Sequence, residues 1–188
     1  MREAVTSPDT TYGLAETAIL RQPWLSTSTL PDLLARSDVR TAEVEQSSRP
    51  PRKILIRGQG RELSVEIPGD APSSLEKGVR AVGGLLALPA GWNSYSAKPI
   101  AIWNVKTAIE LLAQFVETGT PPPAAVPRVQ GGIQLEWHTG ETDIEIYIDS
   151  LNKVSFFAED VRSGDSFDGP LQENEETLRF WVGRVSHK

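Results

Sequence analysis

The run GGIQLEWHTGETDIEIYIDS, from Gly131 to Ser150, decides the fold. Ile133, Leu135 and Trp137 alternate with Gln134, Glu136 and His138; after Thr139-Gly140-Glu141-Thr142 the same rhythm resumes, with Ile144, Ile146 and Ile148 against Asp143, Glu145 and Tyr147. Period-two alternation on both sides of a short polar turn predicts an antiparallel pair with one dry and one wet face. A third strand over about Lys153–Ala158 extends the pair into a meander, with Val154 and Phe156 on the dry side and Lys153, Ser155 and Phe157 on the wet side.

Working outward, the alternation of Ile54 and Ile56, then Leu63, Val65 and Ile67, around Gly58-Gln59-Gly60 predicts a β-hairpin with one apolar face. Ser73 with Glu76 fits a capping box, and Leu75, Val79, Val82 and Leu86 follow at helical spacing to about Leu88. Gly78, Gly83 and Gly84 weaken that helix, so close packing must hold it. Pro99 is expected to open a second helix with Val105, Ala108, Ile109, Leu112 and Val116 on its buried side, ended by Gly119 and Pro121. Pro121-Pro122-Pro123 reads as a rigid connector. A polar loop containing Gly164 and Gly169 leads to a last amphipathic helix with Leu171, Leu178, Trp181, Val182 and Val185 inward.

The expected architecture is α+β: a single antiparallel sheet of about five strands, with two or three helices on one face. Residues 1–52, rich in Ser, Thr, Pro and charge, read as a poorly structured, flexible N-terminal arm ahead of a domain over 53–188. Within the arm, Leu14–Leu25 and Leu30–Val39 have short-helix patterns, and Trp24 is a candidate anchor for a partner.

Composition narrows the chemistry. With 25 acids against 19 bases the net charge is −6, which disfavours non-specific contact with nucleic acid or an anionic membrane. The chain has no cysteine, so disulfides, thiolate nucleophiles, zinc fingers and iron–sulfur clusters are excluded. Met1-Arg2-Glu3-Ala4-Val5-Thr6 lacks the features of a secretory leader, and no apolar run is long enough for a membrane helix. A cytoplasmic location is the expectation. Only His138 and His187 are available as imidazole ligands, so no metal site or cofactor is expected. Neither a G-x-S-x-G elbow nor a G-x-x-x-x-G-K-[ST] loop occurs.

Two places merit attention as binding surfaces. One is the Gly91–Ile100 run, where Trp92, Asn93 and Tyr95 set rings beside hydrogen-bonding groups. The other is the wet face of the meander, with Glu136, His138, Glu145 and Tyr147. If Trp137 pairs with Ile144, Glu136 faces Glu145, an unfavourable like-charge pair; a register two residues longer sets His138 against Glu145 instead. Both registers keep the apolar residues on one side.

On these residues the chain resembles a family of small, uncharacterised bacterial proteins with the pattern Gly-Trp-Asp/Asn-x-Tyr-x-Ala-x-Pro-Ile, then a helix, a Pro-rich connector and Gly-Gly-Ile-x-Leu-Glu-Trp before an acidic hairpin. Gly91, Trp92, Asn93, Tyr95, Ala97, Pro99 and Ile100 match the first motif; Gly131, Gly132, Ile133, Leu135, Glu136 and Trp137 match the second, and Glu145 and Ile146 the hairpin. Asn93 stands where an acid is more frequent, and Ser96 where a glycine is common. The resemblance covers about residues 78–158 and implies a shared fold and a bacterial or phage source, and nothing about catalysis.

The sequence thus favours a non-enzymatic protein-interaction module, an accessory, antitoxin-like or regulatory subunit with a protein partner. The alternatives are a small-molecule-binding domain with a pocket near Trp92, Tyr95 and Trp137, and a carboxylate- or metal-dependent hydrolase using Glu136 and Glu145.

Overall fold

The computed structural model describes residues 15–19, 49–150 and 153–186. Trp24, His187 and the expected helix at 30–39 lie outside the described residues. Among those described, the elements run β1 (Ala15–Ile19), β2 (Arg52–Gly58), β3 (Arg61–Ile67), α1 (Ser73–Leu85), α2 (Ile102–Phe115), β4 (Ala124–Pro127), β5 (Ile133–His138), β6 (Thr142–Ser150), β7 (Lys153–Asp160), β8 (Ser166–Pro170) and α3 (Glu175–Ser186).

The fold is α+β, with a five-stranded antiparallel sheet in the order β4-β5-β6-β7-β8. Its membership differs from the sequence expectation. The hairpin β2-β3 belongs to a separate sheet of order β1-β3-β2, and the meander β5-β6-β7 reaches five strands by adding β4 and β8 as outer strands. β1 pairs in parallel with β3, Thr17 beside Ser64. The short-helix reading of Leu14–Leu25 is corrected at those five residues: an isolated short helix is marginal, whereas the free edge of β3 supplies a ladder.

The hairpin turns through Gln59 (φ 53°) and Gly60 (φ 71°), both in the left-handed region as a two-residue turn of the primed type requires. The Gln59 side-chain amide donates to the carbonyls of Leu86 (3.0 Å) and Leu88 (3.2 Å), tying the turn to the end of α1. Ile54, Ile56, Leu63, Val65 and Ile67 are all buried, toward α1.

α1 packs between the hairpin and α2, and its glycines explain the fit. A Cβ on Gly83 would lie 2.8 Å from the Ile56 side chain, and one on Gly78 would lie 3.1 Å from that of Leu112. The expected capping box is absent. Pro72 occupies the N-cap without a side-chain bond, and Glu76 instead pairs with Arg52 and with Arg80 (2.8 Å). Pro99 does not open α2 either. The helix starts at Ile102 behind an extended Ala101, so Pro99 belongs to the loop before it.

α2 and α3 lie against the inner face of the five-stranded sheet, where Ile133, Leu135, Trp137, Ile144, Ile146, Ile148, Phe156 and Ala158 are buried. Phe167 of β8 stacks on Phe156 with ring centroids 4.6 Å apart, in space left by Gly169, whose Cβ would sit 3.0 Å from the Phe167 ring. Among the described residues no helix is long and apolar enough to cross a membrane.

Candidate functional site

The two tryptophan-bearing runs meet, and they meet through backbone. Lys98 N–H donates to Val129 O (2.8 Å), Ala101 N–H to Gly131 O (3.2 Å), and the buried Asn104 side-chain amide to the same Gly131 O (2.9 Å). Gly131 has φ +87°, and a Cβ there would stand 2.7 Å from Pro99 O; one on Gly132 would stand 2.6 Å from Ile148 O. The glycine pair is therefore a joint that lets the loop before α2 lie flush on the sheet.

Within the first run, Asn93 is the organiser. Its Oδ1 accepts from the N–H groups of Tyr95 (3.0 Å) and Ala97 (3.2 Å), while Gly91 N–H donates to Ala97 O (2.8 Å). These bonds close a loop in which Gly91 (φ 71°) and Ser94 (φ 66°) have left-handed backbones. Trp92 donates its indole N–H to Lys98 O (3.2 Å), and Tyr95 projects with 84% of its surface exposed. Trp137 points into the core, its indole N–H donating to Pro121 O (2.8 Å), while His138 emerges on the opposite side of β5. Trp137 thus faces the core, while Tyr95 stands out in solvent. A cleft of about 530 Å³ lies elsewhere, at the start of α1.

The chemistry-bearing residues gather on the outer face of the five-stranded sheet. The register pairs Trp137 with Ile144 and sets Glu136 directly against Glu145. One row across this face reads Ala124, Glu136, Glu145, Phe157, Asp168; the next reads Val126, Gln134, Tyr147, Ser155, Pro170. On the other flank His138 faces Asp143, which faces Glu159. Like-charge repulsion between Glu136 and Glu145 is relieved because each carboxylate is held by a different neighbour. Glu145 Oε2 accepts from the Gln134 amide (2.9 Å) and the Tyr147 hydroxyl. Glu136 Oε2 lies 3.4 Å from His138 Nε2, whose Nδ1 is 3.1 Å from Asp143 Oδ1.

Both imidazole nitrogens therefore address carboxylates, an arrangement that suits the doubly protonated ring. The His138 pKa is raised above its ordinary value, foremost by the hydrogen bond to Asp143, with burial acting against it. The Tyr147 hydroxyl is pushed up to about 12, first by burial and then by its bond to Glu145. The Arg128 guanidinium sits 4.9 Å from the Tyr147 ring centroid and pairs with Asp149 (3.0 Å). A neutral Tyr147 is a poor base near neutral pH, and the surface it sits on is open. Among the described residues no cluster of three or more His, Asp or Glu is placed to hold a metal ion.

Sequence reading found Glu136, His138, Glu145 and Tyr147 from their alternation. It missed Glu159 and Asp168, which share the face; the extension of β7 past Ala158 and the presence of β8 place them there. It also missed the cleft, where Ser73 reads from sequence as part of a capping box. Comparisons with protein-family models, curated proteins and solved structures find no match to this chain.

Proposed function

We propose that this protein is a non-enzymatic interaction module, an accessory or regulatory subunit that receives a protein partner on the outer face of its five-stranded sheet. The observation that carries the reading is the composition of that face: Glu136, Glu145, Asp143, Glu159 and Asp168 surround Tyr147 and Phe157. Aromatic rings among carboxylates on an open surface suit a docking side rich in Lys and Arg with apolar contacts between them. The two tryptophan runs support the same reading, because their polar groups are used to join loop and sheet rather than to line a cavity. The resemblance to a small bacterial family directs the search for the partner to the products of neighbouring genes in a bacterial or phage genome.

The test is co-purification of the full chain with such a neighbour product, followed by charge reversal at two positions on this face. Glu159→Lys with Asp168→Lys is expected to weaken binding by at least about tenfold, with the loss shrinking as salt is raised. Binding that is indifferent to both the substitutions and the salt removes this face as the docking surface.

A further inference from the structure

We infer that the outer face of the three-stranded sheet is a docking surface for this chain's own residues 20–48, with Leu30, Leu33 and Leu34 seated over Leu55 and Ser64. The inference does not depend on the reading of the five-stranded sheet given above.

The ladder defines the face. Leu63, Val65 and Ile67 of β3 are buried toward α1, so Glu62, Ser64 and Glu66 emerge on the other side, where the register sets them beside Arg57, Leu55 and Lys53 of β2. The centre of this face is incomplete. Leu55 keeps 44% of its surface exposed, while the Ser64 hydroxyl beside it is buried and has no hydrogen-bond partner among the described residues. A buried hydroxyl is ordinarily paired, and an exposed leucine gains by being covered. Charges of both signs stand around that centre, with Lys53 opposite Glu66 at one end and the Arg57–Glu62 ion pair (2.8 Å) at the other. A rim of mixed sign suits a segment of equally mixed charge over a strongly anionic or cationic ligand.

The path of the chain names the occupant. Ile19, the last residue of β1, is paired with Glu66, and Arg52, the first of β2, with Ile67. The chain therefore leaves and re-enters the sheet at the same end of β3, and residues 20–48 start and finish beside this face. In that segment Leu30, Leu33 and Leu34 recur at the spacing of one helix side, among Asp32, Arg36, Asp38 and Arg40. Ten residues at helical rise span about 15 Å, within the roughly 23 Å of a seven-residue strand, and the flanks 20–29 and 40–48 reach up to about 30 Å each when extended. By itself the segment has too few apolar residues to offset the cost of ordering it, so it needs a surface such as the one Leu55 offers. Tethering at both ends gives it an effective concentration on the order of millimolar there, which favours it over a second copy or a separate protein.

The experiment uses the absence of cysteine: Arg36→Cys takes a single nitroxide label on the full chain. Paramagnetic broadening is expected at the Leu55 and Ser64 amides and not at Glu145 on the other sheet. In the same labelled background, Leu33→Asp with Leu34→Asp, and separately Leu55→Asp, are each expected to lower the docked-to-undocked ratio by at least about tenfold, read as loss of that broadening. An unmoved Val65 amide confirms that the sheet is intact in each variant. No broadening at Leu55 and Ser64 overturns the inference, as does broadening that survives both sets of substitutions. Labelled chain mixed with isotope-enriched unlabelled chain is expected to leave the enriched amides sharp; broadening there would assign the face to a second copy and overturn the choice of occupant.

Discussion

One side-chain oxygen of Asn93 closes the loop ahead of α2 by accepting from two backbone N–H groups that the loop's own carbonyls leave unpaired. Each such bond is worth about 1 kcal/mol net, and the site is half-buried, so Asn93→Ala is expected to cost about 1–2 kcal/mol, read as a lower urea midpoint. Asn93→Asp keeps the acceptor and should retain most of that stability; equal losses in the two variants would show that the amide nitrogen matters instead. At His138 the folded state binds a proton more tightly than the unfolded chain does, because Asp143 and Glu136 flank the ring. A raised folded pKa gives stability that is complete below the ordinary value of 6.5 and disappears as pH climbs through the elevated folded value. His138→Gln should flatten the pH dependence of the denaturation midpoint across that window; an unchanged slope would mean that the ring does not bridge the two carboxylates in solution.

At the scale of elements, α1 carries two adjacent glycines with opposite surroundings. A methyl at Gly83 would meet Ile56 at 2.8 Å, whereas nothing lies within 4 Å of one at Gly84. Gly83→Ala should therefore destabilise by about 1–3 kcal/mol in spite of its better helix propensity, and Gly84→Ala should stabilise by up to about 1 kcal/mol. Thermal midpoints that move in the same direction for both would refute the packing of α1 on the hairpin. The elements also show what could be read from sequence. The hairpin, the meander and the inward residues of all three helices were legible because burial imposes a period, and Leu75, Val79, Val105, Ala108, Leu178 and Trp181 keep to it. β4 and β8 were not legible. Ala124–Pro127 follows three prolines and has little apolar pattern, and Ser166–Pro170 has only Phe167 to face the core; both are strands because β5 and β7 offer them an edge.

For the whole molecule, the joint at Gly131 connects the loop before α2 with the sheet. Gly131→Ala combines a left-handed backbone (φ +87°) with a methyl 2.7 Å from Pro99 O, and is expected to cost about 1–3 kcal/mol. The loss should appear as a lower thermal midpoint together with faster exchange of the Ala101 backbone N–H and the Asn104 side-chain amide, the two donors that meet the Gly131 carbonyl. Unaltered exchange there would mean that the joint is not where the two runs are held. Assembly at this scale also decided what the sequence left open. The like-charge pairing of Glu136 with Glu145 prevailed because the turn is closed by Thr139, whose N–H donates to Thr142 O (3.1 Å) and whose hydroxyl accepts from Thr142 N–H (3.2 Å). Gln134, Tyr147 and His138 then absorb the charge. The site residues of β5 and β6 were visible in the alternation; their partners across the sheet depended on a register that no local pattern encodes.

The outermost strands β4 and β8 are four and five residues long, and each finishes on a proline, Pro127 and Pro170. A rim so brief, with one amide hydrogen missing from each strand, gives an incoming chain little to copy, which guards this sheet against fibril seeding. It also constrains recognition: a visitor to this sheet must read it from above, through protruding groups, and not by extending it sideways as an additional ribbon.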